Sequence, residues 1–172
     1  MMPLGPMMIG GTPIPLTSLL FAALLAAALV TDVAWLRIPN RIVAAVVALF
    51  PVAALMAPHP GAWWLSHLAA GAIVLVIGMG LFAWGKIGGG DAKLMAAIGL
   101  WSGLTLLPPL LLVIAVLNGA VILTYMAIRF YCIGAYFEAR GVRLVSLQPG
   151  KDMPFAIAAA AGCWIFLPDF LA

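Results

Sequence analysis

Two acidic residues stand where an apolar chain rarely places a charge. The 172 residues include only five Asp and Glu. Asp32 lies inside an apolar run, about a turn before its end, and Asp91 follows three consecutive glycines. An ionised carboxylate at the centre of a membrane-spanning helix costs about 2.5–3.5 kcal/mol, so such a group usually faces a cavity or a partner. Two carboxylates that share one proton can activate water against a peptide carbonyl, as aspartic proteases do.

Each aspartate also has a purely structural interpretation. Asp32 can pair with Arg37 or Arg41, which follow it along the chain. Asp91 can cap the helix that it opens, since a carboxylate there accepts backbone N–H bonds and complements the helix dipole. A cap does not require the run Gly88–Gly90, however. Three glycines allow the backbone to approach another group closely or to move, so the sequence favours a functional loop.

The other residues able to do chemistry are interpreted as structural. No metal site is predicted, because these cysteines and histidines are isolated: Cys132, Cys163, His59 and His67. Asn118 is interpreted as an interhelical hydrogen-bond donor. The remaining acidic residues are expected to be solvated or paired with basic neighbours: Glu138, Asp152 and Asp169. Glycines within apolar runs are interpreted as small residues at helix contacts: Gly71, Gly78, Gly80, Gly99, Gly103 and Gly119.

The composition excludes a soluble domain. Hydrophobic residues make up 66% of the chain and charged residues 8%, whereas a soluble domain carries about 25% charged residues. The basic residues form no patch with interleaved aromatics, so the net charge of +3 predicts membrane orientation and no nucleic-acid partner. The fold class is therefore an all-α polytopic membrane protein, with the lipid bilayer as its surroundings.

Apolar runs of about 20 residues predict about six transmembrane helices in a single membrane-embedded domain, residues 1–172. Pro108–Pro109 is expected to separate the fourth from the fifth, and Gly88–Gly90 the third from the fourth. The predicted spans are about Leu16–Leu36, Ile42–Ala57, Trp63–Trp84, Ala92–Leu107, Leu110–Phe130 and Pro154–Leu171.

The distribution of basic residues predicts the orientation. With six spans, all eight Lys and Arg fall in the loops near residues 37–41, 85–93 and 129–153. The positive-inside rule makes these loops cytoplasmic and leaves both termini outside. Asp32 and Asp91 then lie at similar depth near the cytoplasmic face, although they are far apart in sequence.

Several motifs resemble one known family. Gly88–Asp91 is similar to the Gly-x-Gly-Asp signature of membrane aspartic proteases, and Asp91–Leu94 extends it as in the type IV prepilin peptidases. Asp32, followed by Arg37–Asn40 with its Ile-Pro-Asn, resembles the first aspartate of that family. Pro154–Phe155 is similar to the Pro-Phe that opens its last helix. The resemblance implies Asp32 and Asp91 as the catalytic pair. The supporting motif residues are Gly88, Gly90, Lys93, Pro39 and Asn40.

The resemblance implies an aspartic endopeptidase without a cofactor, located in the bacterial inner membrane. Its substrates would be prepilin or pseudopilin precursors, cut on the cytoplasmic side, with the pilus secretion machinery as a partner. Larger members also N-methylate, using a region with paired cysteines. Because the first loop is only about Arg37–Arg41, we expect cleavage without methylation. The compact form most resembles peptidases of tight-adherence (Flp) pili, with archaeal preflagellin peptidases as relatives. It departs from larger enzymes at Ala156–Ile157, where they have Gly-Pro.

Two other functions stay open. Paired carboxylates also serve as the ion site of a small proton- or cation-coupled transporter. That function predicts polar residues across the whole membrane, whereas the outer half of this chain has almost none. A catalytically silent pilus-assembly scaffold is the second alternative, and the intact aspartate pair argues against it.

Overall fold

A computed structural model of the chain describes residues 8–9, 12–13, 16–56, 58–130, 140 and 153–170. These residues are mainly helical, as predicted. One short ribbon pairs β1 (Met8–Ile9) antiparallel to β2 (Thr12–Pro13). Most of the predicted loop 129–153, including Glu138 and Asp152, lies outside the described residues.

The first three helices follow the apolar runs of the sequence. They are α1 (Leu16–Trp35), α2 (Asn40–Ala54) and α3 (Gly61–Ala83). Pro39 precedes α2 and Pro60 precedes α3, each with the extended backbone that proline favours before a helix. Local sequence therefore accounts for where α2 and α3 begin.

Helix α4 (Gly89–Phe130) consists of two arms that run in opposite directions. Its backbone leaves helical geometry at Gly103, where φ is 62° and ψ is 174°. A straight helix would separate Gly89 from Asn118 by roughly 43 Å, yet both residues line one cavity of about 900 Å³. The chain therefore turns back at Gly103, between a proximal arm (89–102) and a distal arm (104–130).

The reversal corrects one prediction, since the sequence indicated a turn at Pro108–Pro109. The helix instead continues through both prolines, which lie in the second turn of the distal arm, so each removes one intrahelical hydrogen bond without ending the helix. Two contacts with α3 hold the break at Gly103. The N–H of Leu104 donates to Oγ of Ser66 at 3.0 Å. The ring of His67 occupies the space beside Gly103, and a Cβ there would lie 2.9 Å from Nε2.

The last helix, α5 (Ala156–Ile165), packs against α1 and α4 through small side chains. Gly162 shows how close the packing is, because a Cβ there would lie 2.6 Å from Cγ1 of Ile114 on the distal arm. Small residues allow helix backbones to approach in this way. The buried small residues of α5 are Ala156, Ala158, Ala159, Ala160, Gly162 and Cys163.

The largest core side chain is Trp101, which joins the proximal arm to α1 and α2. Its ring stacks on Phe21 with centroids 4.3 Å apart. Its Nε1–H donates to the carbonyl of Val46 at 2.9 Å. The indole is fully buried, and this hydrogen bond satisfies its polar group, as a buried tryptophan requires.

Three helices are long and apolar enough to cross a membrane among the residues described: Leu16–Trp35, Gly61–Ala83 and Gly89–Ile128. Helices α2 and α5 are apolar but shorter. Large hydrophobic side chains also cover the outer surface, for example Val76 and Leu123, exposed by 72% and 69%. These are the features of a membrane protein, whose outer surface meets lipid.

Candidate active site

A cavity of about 900 Å³ opens at one end of the helix bundle. There α1 ends, α2, α4 and α5 begin, and the distal arm of α4 passes alongside. Its wall comes from segments far apart in sequence: Asp32, residues 36–40, residues 85–91, Asn118 and Ile122, and Met153 and Phe155. Both aspartates singled out in the sequence line this cavity.

Asp32 lies in α1 and is held by the start of α5. Only 5% of its surface is exposed within the protein. Its Oδ2 accepts the N–H of Ala156 at 2.8 Å, and the backbone of Phe155 also donates to the carboxylate. The first N–H groups of a helix carry partial positive charge and favour a carboxylate at this position. The pairing with Arg37 or Arg41 that the sequence allowed is not observed; both arginines are described, and neither forms an ion pair with Asp32.

Asp91 is half-buried in the first turn of α4. Its Oδ2 accepts the N–H of Gly88 at 3.3 Å, while the carbonyl of Gly88 accepts the N–H of Ala92 at 3.1 Å. A side chain that reaches back to the residue before a helix is one half of a capping box. The structural interpretation of Asp91 as a cap is therefore confirmed, and the same side chain lines the cavity.

Each of the three glycines before Asp91 lies where a Cβ would come close to a neighbouring group. A Cβ at Gly88 would lie 2.9 Å from Oδ2 of Asp91, and one at Gly89 would lie 3.2 Å from the ring of Phe82. At Gly90 the added atom would lie 3.2 Å from Cβ of Ile38. The expectation of a close backbone approach is thus confirmed. At Gly90 this approach brings the start of α4 against the loop that follows Asp32.

Lys93 connects the same two motifs outside the cavity. Its Nζ donates to Oδ1 of Asn40, the first residue of α2, at 3.2 Å. Both side chains are exposed. Asn40 and the preceding Pro39 line the cavity, whereas Lys93 does not. The contact ties the start of α4 to the start of α2, so the position of Lys93 is explained without a role in the cavity.

Asn118 is the residue that sequence reasoning missed. It was interpreted as an interhelical hydrogen-bond donor, but it makes no hydrogen bond within the described part of the chain. Instead it lines the cavity from the distal arm, together with Ile122. An isolated amide in the middle of an apolar run was a signal for this position, since such a group needs a partner or water.

The electrostatics of the cavity combine two carboxylates with two cations. Arg37 and Lys86 line it as well, and both are exposed. Within the described residues, no three His, Cys, Asp or Glu side chains are grouped so as to hold a metal ion. Asp32 and Asp91 each have one oxygen held by a backbone N–H near a helix start. Two carboxylates fixed in this way around one cavity can act as a general acid and a general base.

Comparison with known proteins identifies the family. The sequence profile of the type IV leader peptidase family matches residues 19–128. The chain belongs to this family. The prepilin leader peptidase/N-methyltransferase of Bacillus subtilis (strain 168) is 32% identical over 149 residues, which is 84% of this chain and 52% of the relative. The chain thus spans about half the length of that relative. No solved structure matches significantly.

The family match confirms the resemblance to the type IV prepilin peptidases. It contains both aspartates, the glycine run and Asn118, and it ends before α5 begins. The contact between Asp32 and Ala156 therefore joins the matched region to a helix outside it.

Proposed function

We propose that this protein is a membrane aspartic endopeptidase that removes the leader peptide from prepilin-like precursors. The observation that carries the proposal is that Asp32 and Asp91 line one cavity in a member of the type IV leader peptidase family. That cavity lies within the range of about 300–1,000 Å³ typical of ligand pockets, so it can hold a short peptide segment.

The proposed reaction is hydrolysis by a carboxylate pair. Two carboxylates in a partly dry cavity hold one proton between them. The ionised carboxylate takes a proton from a water molecule, and the water oxygen bonds to the carbonyl carbon of the scissile peptide. The protonated carboxyl donates a hydrogen bond to the carbonyl oxygen. The C–N bond then breaks as a proton passes from the pair to the leaving amine, which restores the starting state.

We propose that the cavity opens near the cytoplasmic face of the bacterial inner membrane. If the two arms of α4 are counted separately, the described residues contain six apolar helices, and an even number of passes would put both termini on the same side. The cations nearest the cavity, Arg37 and Lys86, belong to the loops that the positive-inside rule assigns to the cytoplasm. A basic leader would remain on that side for the same reason, so its scissile bond would meet the aspartates there.

We propose cleavage without N-methylation. The relative from Bacillus subtilis is named for both activities, but α1 and α2 are joined only by residues 36–39. The sequence has two cysteines in all, Cys132 and Cys163, and they are far apart. Neither feature provides the paired-cysteine region that the resemblance associates with methylation. The pilus secretion machinery remains the expected partner.

The test is processing of a prepilin precursor co-expressed with the wild type or with Asp32→Asn, Asp91→Asn or Asp169→Asn. An asparagine at either cavity position still accepts the backbone N–H that holds the aspartate, so both variants should fold. We expect each to lose at least roughly 1,000-fold in processing rate, as is common when one member of a catalytic unit is removed. Asp169 is exposed and lies outside this cavity, so Asp169→Asn should process normally.

Processing that survives both Asp32→Asn and Asp91→Asn would refute the dyad. Failure of the wild type on every precursor tried would refute the peptidase and favour a scaffold or a transporter. Ion flux in vesicles would then separate those two functions.

A further inference from the structure

The distal arm of α4 contributes one polar side chain to the cavity wall. Asn118 and Ile122 lie one turn apart on the same face of the helix, and both line the cavity that holds Asp32 and Asp91. Asn118 is half-buried and makes no hydrogen bond to the described residues, whereas Asn40 at the same cavity is bonded to Lys93.

An asparagine at this position is at odds with its sequence surroundings. Its neighbours along the arm are apolar, from Leu110 to Leu117 and again from Ala120 to Leu123. Asparagine is a poorer helix former than leucine, and the apolar side chains around it on the arm offer its carboxamide no hydrogen bond. Residues that contradict their local surroundings in this way are expected at functional sites.

We infer that Asn118 binds the main chain of the substrate beside the scissile bond, an inference that rests on the peptidase function proposed above. A carboxamide has both a donor and an acceptor, as has a peptide unit. A peptide that enters the cavity loses water from its N–H and C=O groups, which then need partners in the cavity wall. Asn118 faces the same space as the two carboxylates but carries no charge, so it holds the chain while Asp32 and Asp91 transfer protons.

The test compares Asn118→Leu with the wild type in detergent, using a purified prepilin precursor. Leucine has the same number of side-chain heavy atoms and the same branching, but no polar group. We expect kcat/KM to fall roughly 10-fold, mainly through KM, because one or two neutral hydrogen bonds to the substrate are lost. The Tm should stay the same or rise. Asn118→Gln keeps the amide and should lose less activity than Asn118→Leu.

Two further variants make the result specific. In the Asp32→Asn background, which binds without cleaving, Asn118→Leu should raise the Kd for the intact precursor roughly 10-fold. Thr124→Val is the matched control on the same arm, since Thr124 is exposed and its hydroxyl donates to the carbonyl of Ala120 at 2.8 Å. It should leave both KM and Kd unchanged.

The outcomes separate the inference from the proposed function. If the wild type cleaves, Asp32→Asn does not, and Asn118→Leu has wild-type KM and Kd, the inference is wrong and the peptidase stands. If Asn118→Leu loses activity together with a lower Tm, Asn118 is structural and the inference is again wrong. If the wild type cleaves no precursor, the proposed function itself fails.

Discussion

Replacing Gly103 by alanine tests whether the reversal of α4 depends on glycine. Gly103 is buried, with φ of 62° and ψ of 174°, a backbone region that other residues rarely adopt. Alanine would also place its Cβ 2.9 Å from Nε2 and 3.0 Å from Cδ2 of His67. The substitution therefore adds backbone strain and a steric clash at the same point.

The expected loss of stability follows from these two effects. A non-glycine residue in this backbone region costs about 1–3 kcal/mol, and overpacking a filled site costs about 1–3 kcal/mol. The imidazole has little room to retreat, because it stacks on Trp63 at 3.8 Å and its Nδ1–H donates to the carbonyl of Leu100 at 2.9 Å. Together we expect about 2–6 kcal/mol, or a Tm lower by roughly 4–24 °C for a chain of this size.

The assay is thermal unfolding of the purified protein in detergent, followed by tryptophan fluorescence. Gly119→Ala is the matched control, because Gly119 lies on the distal arm of the same helix and no atom would lie within 4 Å of its Cβ. Alanine favours a helix over glycine by up to about 1 kcal/mol, so this control should keep or raise the Tm. Adding His67→Ala to Gly103→Ala should recover the steric part of the loss and leave the backbone part.

Equal Tm values for Gly103→Ala and Gly119→Ala would refute the reasoning. That result would mean that the chain reverses at another residue, with Pro108–Pro109 as the first alternative.

Two further predictions concern the cavity and the core. Gly90→Val would push the start of α4 away from Ile38, and we expect cleavage to fall roughly 10- to 100-fold because a displacement of about 1 Å misaligns reacting groups. The control Gly80→Val should cleave normally, since no atom lies within 4 Å of the added Cβ. Equal cleavage rates for the two variants would count against the contact between Gly90 and Ile38. Trp101→Phe removes the hydrogen bond to α2 and leaves a void, so it should lower the free energy of unfolding by about 1–3 kcal/mol without changing the cleavage chemistry. The control Trp84→Phe should change stability little, because Trp84 is 78% exposed. A Trp101→Phe variant that loses cleavage at full stability would contradict the structural role of Trp101.

The sequence alone predicted most of the helices and singled out the two aspartates that line the cavity. The predicted bounds of the first three spans agree with α1, α2 and α3 to within a few residues. This success has a local cause, since apolar runs require burial or lipid, and Gly and Pro interrupt helices at identifiable positions. An aspartate in an apolar run is conspicuous in the same way, because a charge there is costly unless the fold supplies a cavity or a partner.

The turn within α4 was beyond the reach of local rules. Proline interrupts helices more strongly than glycine does, so the sequence predicted the turn at Pro108–Pro109. The chain reverses at Gly103 because α3 provides Ser66 for the N–H freed there and His67 to fill the space beside it. Neither contact can be inferred from the residues that surround Gly103 in sequence.

What only the tertiary structure decided is which groups share the cavity. Asp32 is held by Ala156, which lies 124 residues further along the chain, and Asn118 reaches the cavity only because the distal arm runs back toward it. Such contacts depend on how helices pack, and a pattern read along one helix contains no information about its partner. Sequence therefore determined that this chain is an apolar helical protein with two aspartates in unusual positions. Packing determined which side chains surround them.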